Sequence, residues 1–124
     1  MKNTEINNKT RVFDCLFDSL FDSVIVTDET GVIVDWNKAA ENLFGYEKRD
    51  TLGQAINLIH VKEDSENLTL SVISSLSKNG KWSKNIRYLH KNGSVGWVEA
   101  KCVAIFNDDK EMIGTIGVYR HFDK

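Results

Sequence analysis

Apolar residues recur along this chain with two periods, and the change from one to the other divides it. Val12, Phe13, Leu16, Phe17, Leu20 and Phe21 fall on one face of a helix, with Asp14, Asp18 and Asp22 opposite. Two β-branched runs follow, Val24 to Thr27 and Val32 to Val34, around Asp28-Glu29-Thr30-Gly31. Asp suits the first position of a turn and Gly supplies a positive φ, so the runs are predicted to pair as an antiparallel hairpin. Asn37 comes next, and its side-chain oxygen can accept from backbone N–H groups that a first helical turn leaves unpaired. Lys38 to Phe44 then has helical composition, and Gly45 is placed to end it. Residues 48 to 60 are broken by Gly53 and Asn57 into room for one or two single-turn helices. Asp64 to Ser77 puts Leu68, Val72, Ile73 and Leu76 on one face of a long helix that Asn79-Gly80 stops. From Trp82 the pattern becomes β: residues 82–90, 95–106 and 112–121, separated by turns at 91–94 and 107–110. Residues 1–10 are polar and without period, and are expected to be a disordered lead-in to a helix over 11–22 and a domain over 23–122.

Composition narrows the class. A length of 124 residues fits one domain with a core of its own. With 41% hydrophobic and 27% charged residues, and no apolar run near the ~18 residues of a membrane helix, the chain reads as an ordinary globular protein with no membrane contact of its own. The N-terminus lacks the apolar core of a signal peptide, so a cytoplasmic location is expected, in a parent protein free to carry membrane segments elsewhere. Cys15 and Cys102 sit in no metal-like or redox-like spacing and read as free thiols. Charge is uneven: residues 1–70 carry 7 basic and 13 acidic groups, residues 71–124 carry 9 and 5. That polarity is too mild for a nucleic-acid partner, which calls for a clustered basic face.

The motifs are those of one family. Asp28, Gly31, Asn37, Ala39, Ala40 and Phe44-Gly45-Tyr46 occur in order, followed by Leu58-Ile59-His60 with Glu63-Asp64, then Lys91-Asn92-Gly93, Trp97-Val98, and Gly117 with Arg120. Together they resemble the PAS sensor domain family over roughly residues 20–122, with Val61 where that family usually has proline. The resemblance implies an α+β fold: a five-stranded antiparallel sheet in the order 2-1-5-4-3, short helices and one long helix on one face, and here an N-terminal amphipathic helix on the other. It also implies a sensory and dimerisation module of a larger signal-transduction protein. Its hosts are most often prokaryotic histidine kinases of two-component systems, then diguanylate cyclases, phosphodiesterases or transcriptional regulators; the effector domain lies elsewhere in such a parent chain. His121-Phe122-Asp123 replaces the family's usual Asp-Ile-Thr after the last strand. A pure protein-interaction module that binds no small molecule is the competing class.

Catalytic and cofactor chemistry finds little footing. The chain has no Gly-x-Ser-x-Gly, no phosphate loop and no His-Glu-x-x-His, so the fragment itself is not expected to be an enzyme. Haem-binding relatives take iron on a histidine of the long helix, and residues 64–77 hold none. Of His60, His90 and His121, the first falls at the bend before that helix, where a hydrogen bond is the ordinary role. The photoreactive flavin branch needs a cysteine where this chain has Gly53-Gln54-Ala55-Ile56-Asn57-Leu58. Flavin, haem and metal are therefore disfavoured.

Strand parity, aligned through the family motifs, selects the site. Ile86, Tyr88, Val98, Ala100, Cys102, Thr115, Gly117 and Tyr119 should face the helices; of these Ile86, Tyr88, Val98, Ala100, Cys102 and Tyr119, with Leu68 and Val72 of the long helix, are the pocket candidates. Tyr88 and Tyr119 either bond to each other and fill the pocket or grip a small polar ligand, and dense packing favours filling. The outer face would carry Trp97, Val103, Ile105, Ile116 and Val118. That face and the stripe of Phe13, Leu16, Phe17 and Leu20 both need cover, and a parallel homodimer through the helix is expected to supply it.

Overall fold

The computed structural model describes the backbone of residues 2–123 and the side chains of residues 10–123. Five strands, β1 Ser23–Asp28, β2 Ile33–Trp36, β3 Lys81–Leu89, β4 Val95–Phe106 and β5 Met112–Phe122, form one antiparallel sheet in the order β2-β1-β5-β4-β3. This is the predicted architecture. Helices α2 Lys38–Phe44, α3 Lys48–Thr51 and α4 Lys62–Asn79, with a 3-10 turn at Ile56–Ile59, connect β2 to β3. The register aligns Ile25, Gly117 and Cys102 across three strands and Thr27 with Thr115, on the same face as Trp82, Ile86, Val98, Ala100 and Tyr119. Ile25, Trp82, Ile86, Val98, Ala100, Cys102 and Tyr119 are buried in one apolar core with Trp36, Phe44 and Ile59.

Local chemistry sets the element ends. At the β1–β2 turn the Asp28 carboxylate accepts from the Thr30 and Val32 amides and the Thr30 hydroxyl, and Gly31 takes φ 83°. Asn37 caps α2 by accepting from Ala40 N, and Gly45 closes it in the left-handed region at φ 86°. Asn37 does more than the sequence expects. Its side chain is fully buried: Oδ1 also accepts from Val24 N, and Nδ2 donates to the carbonyls of Phe17 and Asp22. One amide therefore joins the end of the first helix, the link to β1, and the start of α2, with its donors and acceptors all engaged. Arg120 reinforces this joint from β5 through a two-pronged ion pair with Asp22 at 3.0 and 3.2 Å.

The N-terminal segment departs from expectation in three ways. Its helix, α1, runs Lys2–Ser19, so residues 2–10 are helical and not a disordered lead-in; the side chains of residues 1–9 and the whole of Met1 lie outside the described residues. No Gly or Pro occurs before Gly31, and a helix nucleated by the later apolar turns propagates back at little cost. It also ends earlier than residue 22, leaving Leu20 and Phe21 beyond it. Its main packing partner is α2, not the outer sheet face, because the Asn37 bonds hold its last turn at that end of the sheet. Val103 on the outer face stays 45% exposed as a result.

Candidate functional site

A cavity of about 290 Å3 lies between α4, the β1–β2 hairpin and the inner sheet face. Leu68, Val72 and Leu76 of α4 form its roof, and Ile25, Ile86, Trp82 and Cys102 supply hydrocarbon and a thiol from the sheet. Its polar lining residues include Thr27, Thr115, Tyr119 and His60, with exposed Thr30, Asn57 and Ser77 at the rim. The two threonine hydroxyls hydrogen-bond to each other at 2.6 Å across β1 and β5. Trp82 donates its indole N–H to Ser71 Oγ at 3.0 Å.

The space is open because the tyrosines do not occupy it. Tyr119 is buried, and its ring packs edge-on against Phe44 at 5.7 Å between centroids; Tyr88 meets the same ring at 5.4 Å. Each phenol lies down on a glycine. A Cβ on Gly117 would stand 2.6 Å from Tyr119 Oη, and one on Gly96 would stand 2.7 Å from Tyr88 Oη. Among the described residues no hydrogen bond joins Tyr119 to Tyr88, so the phenols are not the pair that one of the two expectations supposed; the neighbour that acts on the Tyr119 phenol is the Cys102 thiol. Burial pushes Cys102 up to about 11 and Tyr119 well above the ordinary tyrosine value, so both stay protonated and uncharged.

His60 borders the cavity at the approach to α4. Its Nδ1 lies 3.1 Å from Ser65 Oγ, and burial lowers its pKa below 6.5 despite the nearby Asp64, which raises it. Asp64 itself is engaged by Arg87 of β3 through two hydrogen bonds of 2.9 Å that hold its carboxyl below the usual range. Among the described residues no cluster of three or more His, Cys, Asp or Glu side chains stands ready to share a metal ion.

Of the sequence candidates, Tyr119, Cys102, Leu68, Val72 and Ile86 line the cavity together. Tyr88, Val98 and Ala100 do not line it; they are buried in the core, where Phe44 fills the end of the inner face against Tyr88. Sequence reading missed the hairpin side: Ile25, Thr27, Gly31, Ile56 and Asn57. Parity along β1 contains the signal for Ile25 and Thr27. Ile56 and Asn57 arrive because residue 55 forms a bridge with Val32, a contact no local pattern announces. Of the stripe residues on and just beyond α1, Phe17 is buried within the chain and stacks on Phe13, while Phe13, Leu16 and Leu20 are 57%, 58% and 40% exposed.

Comparisons with known proteins agree on the fold. No match is found among curated proteins. The solved PAS domain of a protein from Colwellia psychrerythraea is 44% identical, with a TM-score of 0.87 over 92% of this chain and 95% of that one. A PAS domain in complex with ethanol, from a LuxR-family transcriptional regulator of Burkholderia thailandensis, superimposes at 0.77 with 13% identity over 89% and 96% of the two chains. One from a two-component sensor histidine kinase reaches 0.78 with 12% identity over 94% and 98%. At those identities the last two show the fold alone. The family model for the PAS domain matches residues 22–120, and with the sheet order, the capped α2 and the roofed cavity in place, the chain belongs to the PAS domain family, a class of sensory modules.

Proposed function

We propose that this PAS domain is the sensory and dimerisation module of a larger signal-transduction protein, holding a small molecule beneath α4 and acting on an effector region of its parent chain. The observation that carries the reading is the cavity: about 290 Å3 walled mainly by hydrocarbon, in a type of interior that otherwise packs like an organic crystal. A prokaryotic sensor histidine kinase is the favoured parent, as the commonest host that the family resemblance implies; a diguanylate cyclase, a phosphodiesterase or a transcriptional regulator is the alternative. No flavin or haem is assigned. Residues 53–58 hold no cysteine and α4 no histidine, and the volume sits at the bottom of the ~300–1,000 Å3 range of sites for drug-sized ligands. A cytoplasmic setting is part of the proposal; no helix among the described residues is long and apolar enough to cross a membrane. Native mass spectrometry of the purified protein tests it: a near-stoichiometric adduct of low mass, without flavin or haem absorbance, is expected. Protein that is free of ligand in every preparation favours the pure interaction module.

A parallel homodimer through α1 completes the reading, supported by Phe13 and Leu16 lying more than half exposed on a helix whose inner side is already used by Phe17. Such a contact lets a shift in the sheet alter the angle between two copies. Sedimentation of wild type beside Phe13→Asp/Leu16→Asp decides it, with Phe17 left intact because it is buried within the protomer. A dimer that dissociates in the variant is expected; a wild type monomeric at high micromolar concentration, or a variant that still dimerises, removes α1 as the interface.

A further inference from the structure

We propose that the cavity beneath α4 selects a small uncharged ligand, mostly hydrocarbon with one polar head, and rejects carboxylates and phosphates. The inference rests on the reading of that cavity as the sensory site and names the chemical class it takes.

Charge is the first observation. No lysine or arginine stands among the described residues that line the cavity. Its acidic groups, Asp28 and Glu29, sit on the hairpin turn at the rim, so the field an entering anion meets is unfavourable. Among the described residues His60 is the one lining side chain with an ordinary pKa near neutrality, and burial holds it toward the neutral form. A carboxylate inside would lose its hydration and gain no counter-charge, the costliest way to bury an ion.

Hydrogen bonding is the second. The Tyr119 phenol lies down against Gly117 beside the Cys102 thiol, and the Trp82 indole is spent on Ser71. Thr27 and Thr115 differ: two hydroxyls carry two protons, their shared bond uses one, and the other remains to be donated. A ligand hydroxyl or carbonyl at that point has a partner, whereas a second polar group among Leu68, Val72, Ile86 and Ile25 has none; Thr30, Asn57, Thr69 and Ser77 also line the cavity but are exposed, at its rim. Size is the third. An apolar cavity of about 150 Å3 holds benzene, so about twice that volume suits roughly a dozen non-hydrogen atoms.

The matched probes 2-phenylethanol and phenylacetate have the required size and differ in head group, and calorimetric titration of the full chain at pH 7.5 compares them. Saturable one-to-one binding of 2-phenylethanol is expected, with phenylacetate weaker by roughly a hundredfold or more. Thr27→Val/Thr115→Val removes both hydroxyls together and strands neither partner, so the fold should survive. In that variant 2-phenylethanol should weaken about three- to tenfold while ethylbenzene is unchanged. Phenylacetate binding within tenfold of 2-phenylethanol overturns the proposal, as does an equal loss of both neutral probes in the variant. Failure of 2-phenylethanol to bind at all overturns it too. In that case native mass spectrometry separates the two readings: a bound endogenous anion leaves the sensory role standing, and an empty cavity removes that role as well.

Discussion

Two helices cover the same sheet face in opposite ways. α2 has seven residues, a side-chain cap at one end and a left-handed glycine at the other, and it buries Ala40 and Phe44 completely. α4 has eighteen residues, follows Val61 at a start with no side-chain cap bond, and buries only Leu68 and Leu76 while leaving Leu70 and Ile73 exposed. Short α2 touches sheet, α1 and core with nothing between. Long α4 stands off over a cavity and is tied to β3 mainly at its polar atoms, by Asp64 to Arg87, Ser71 to Trp82 and Ser75 to the Lys81 carbonyl. Helix length does not set anchoring strength; the anchor is the helix whose end groups and apolar face are both consumed. A sensor needs such an asymmetry, since a roof that moves with its ligand must be held less tightly than the frame it moves against.

The sharpest test falls on the frame. Asn37→Ala removes the cap of α2 and leaves buried partners at Val24, Phe17 and Asp22 unmet, and should cost roughly 3–5 kcal/mol in denaturant unfolding. Leu68→Ala on the roof should cost less, about 2 kcal/mol, because it enlarges an existing cavity instead of opening a new one in dense packing. The reverse order of the two losses would break the comparison.

The smallest effect is one of pH at the start of α4. His60 has its folded pKa depressed by burial, so the unfolded chain binds the proton more readily. Its contribution to stability is therefore complete above about 6.5 and is lost as the pH falls from there toward the lower folded value. The lowered carboxyls of Asp22, Asp28 and Asp64 act in the same direction but only near 3.8 and below, so the two windows separate. A melting-temperature profile should decline between pH 6.5 and 5 in wild type and flatten in His60→Gln. An unchanged slope in that variant would show that the ring is not held neutral by the fold.

What the sequence determined by itself was everything carried by short-range periodicity and by residue types with narrow backbone preferences. Asp28 and Gly31 make a hairpin, Asn37 and Gly45 bracket a helix, Gly80 ends another, and alternation along β3, β4 and β5 sorts Ile86, Cys102 and Tyr119 from Arg87, Lys101 and Arg120. These follow from the chain's own geometry over a few residues, so they are legible without knowing what packs where. Tertiary structure decided the rest. Whether Tyr88 and Tyr119 filled the pocket depended on Gly96 across the ladder, Gly117 two residues away on the same strand, and Phe44 from another layer. The same holds for α1, whose apolar stripe pointed toward a sheet face but whose last turn is held beside α2 by bonds from the Asn37 side chain to the Phe17 carbonyl and from Lys38 N to the Asp18 carboxylate. A cavity is space that no residue fills, and it exists only once distant segments have settled how closely they approach; a periodic pattern records which way a side chain points, not how far away its neighbour stops.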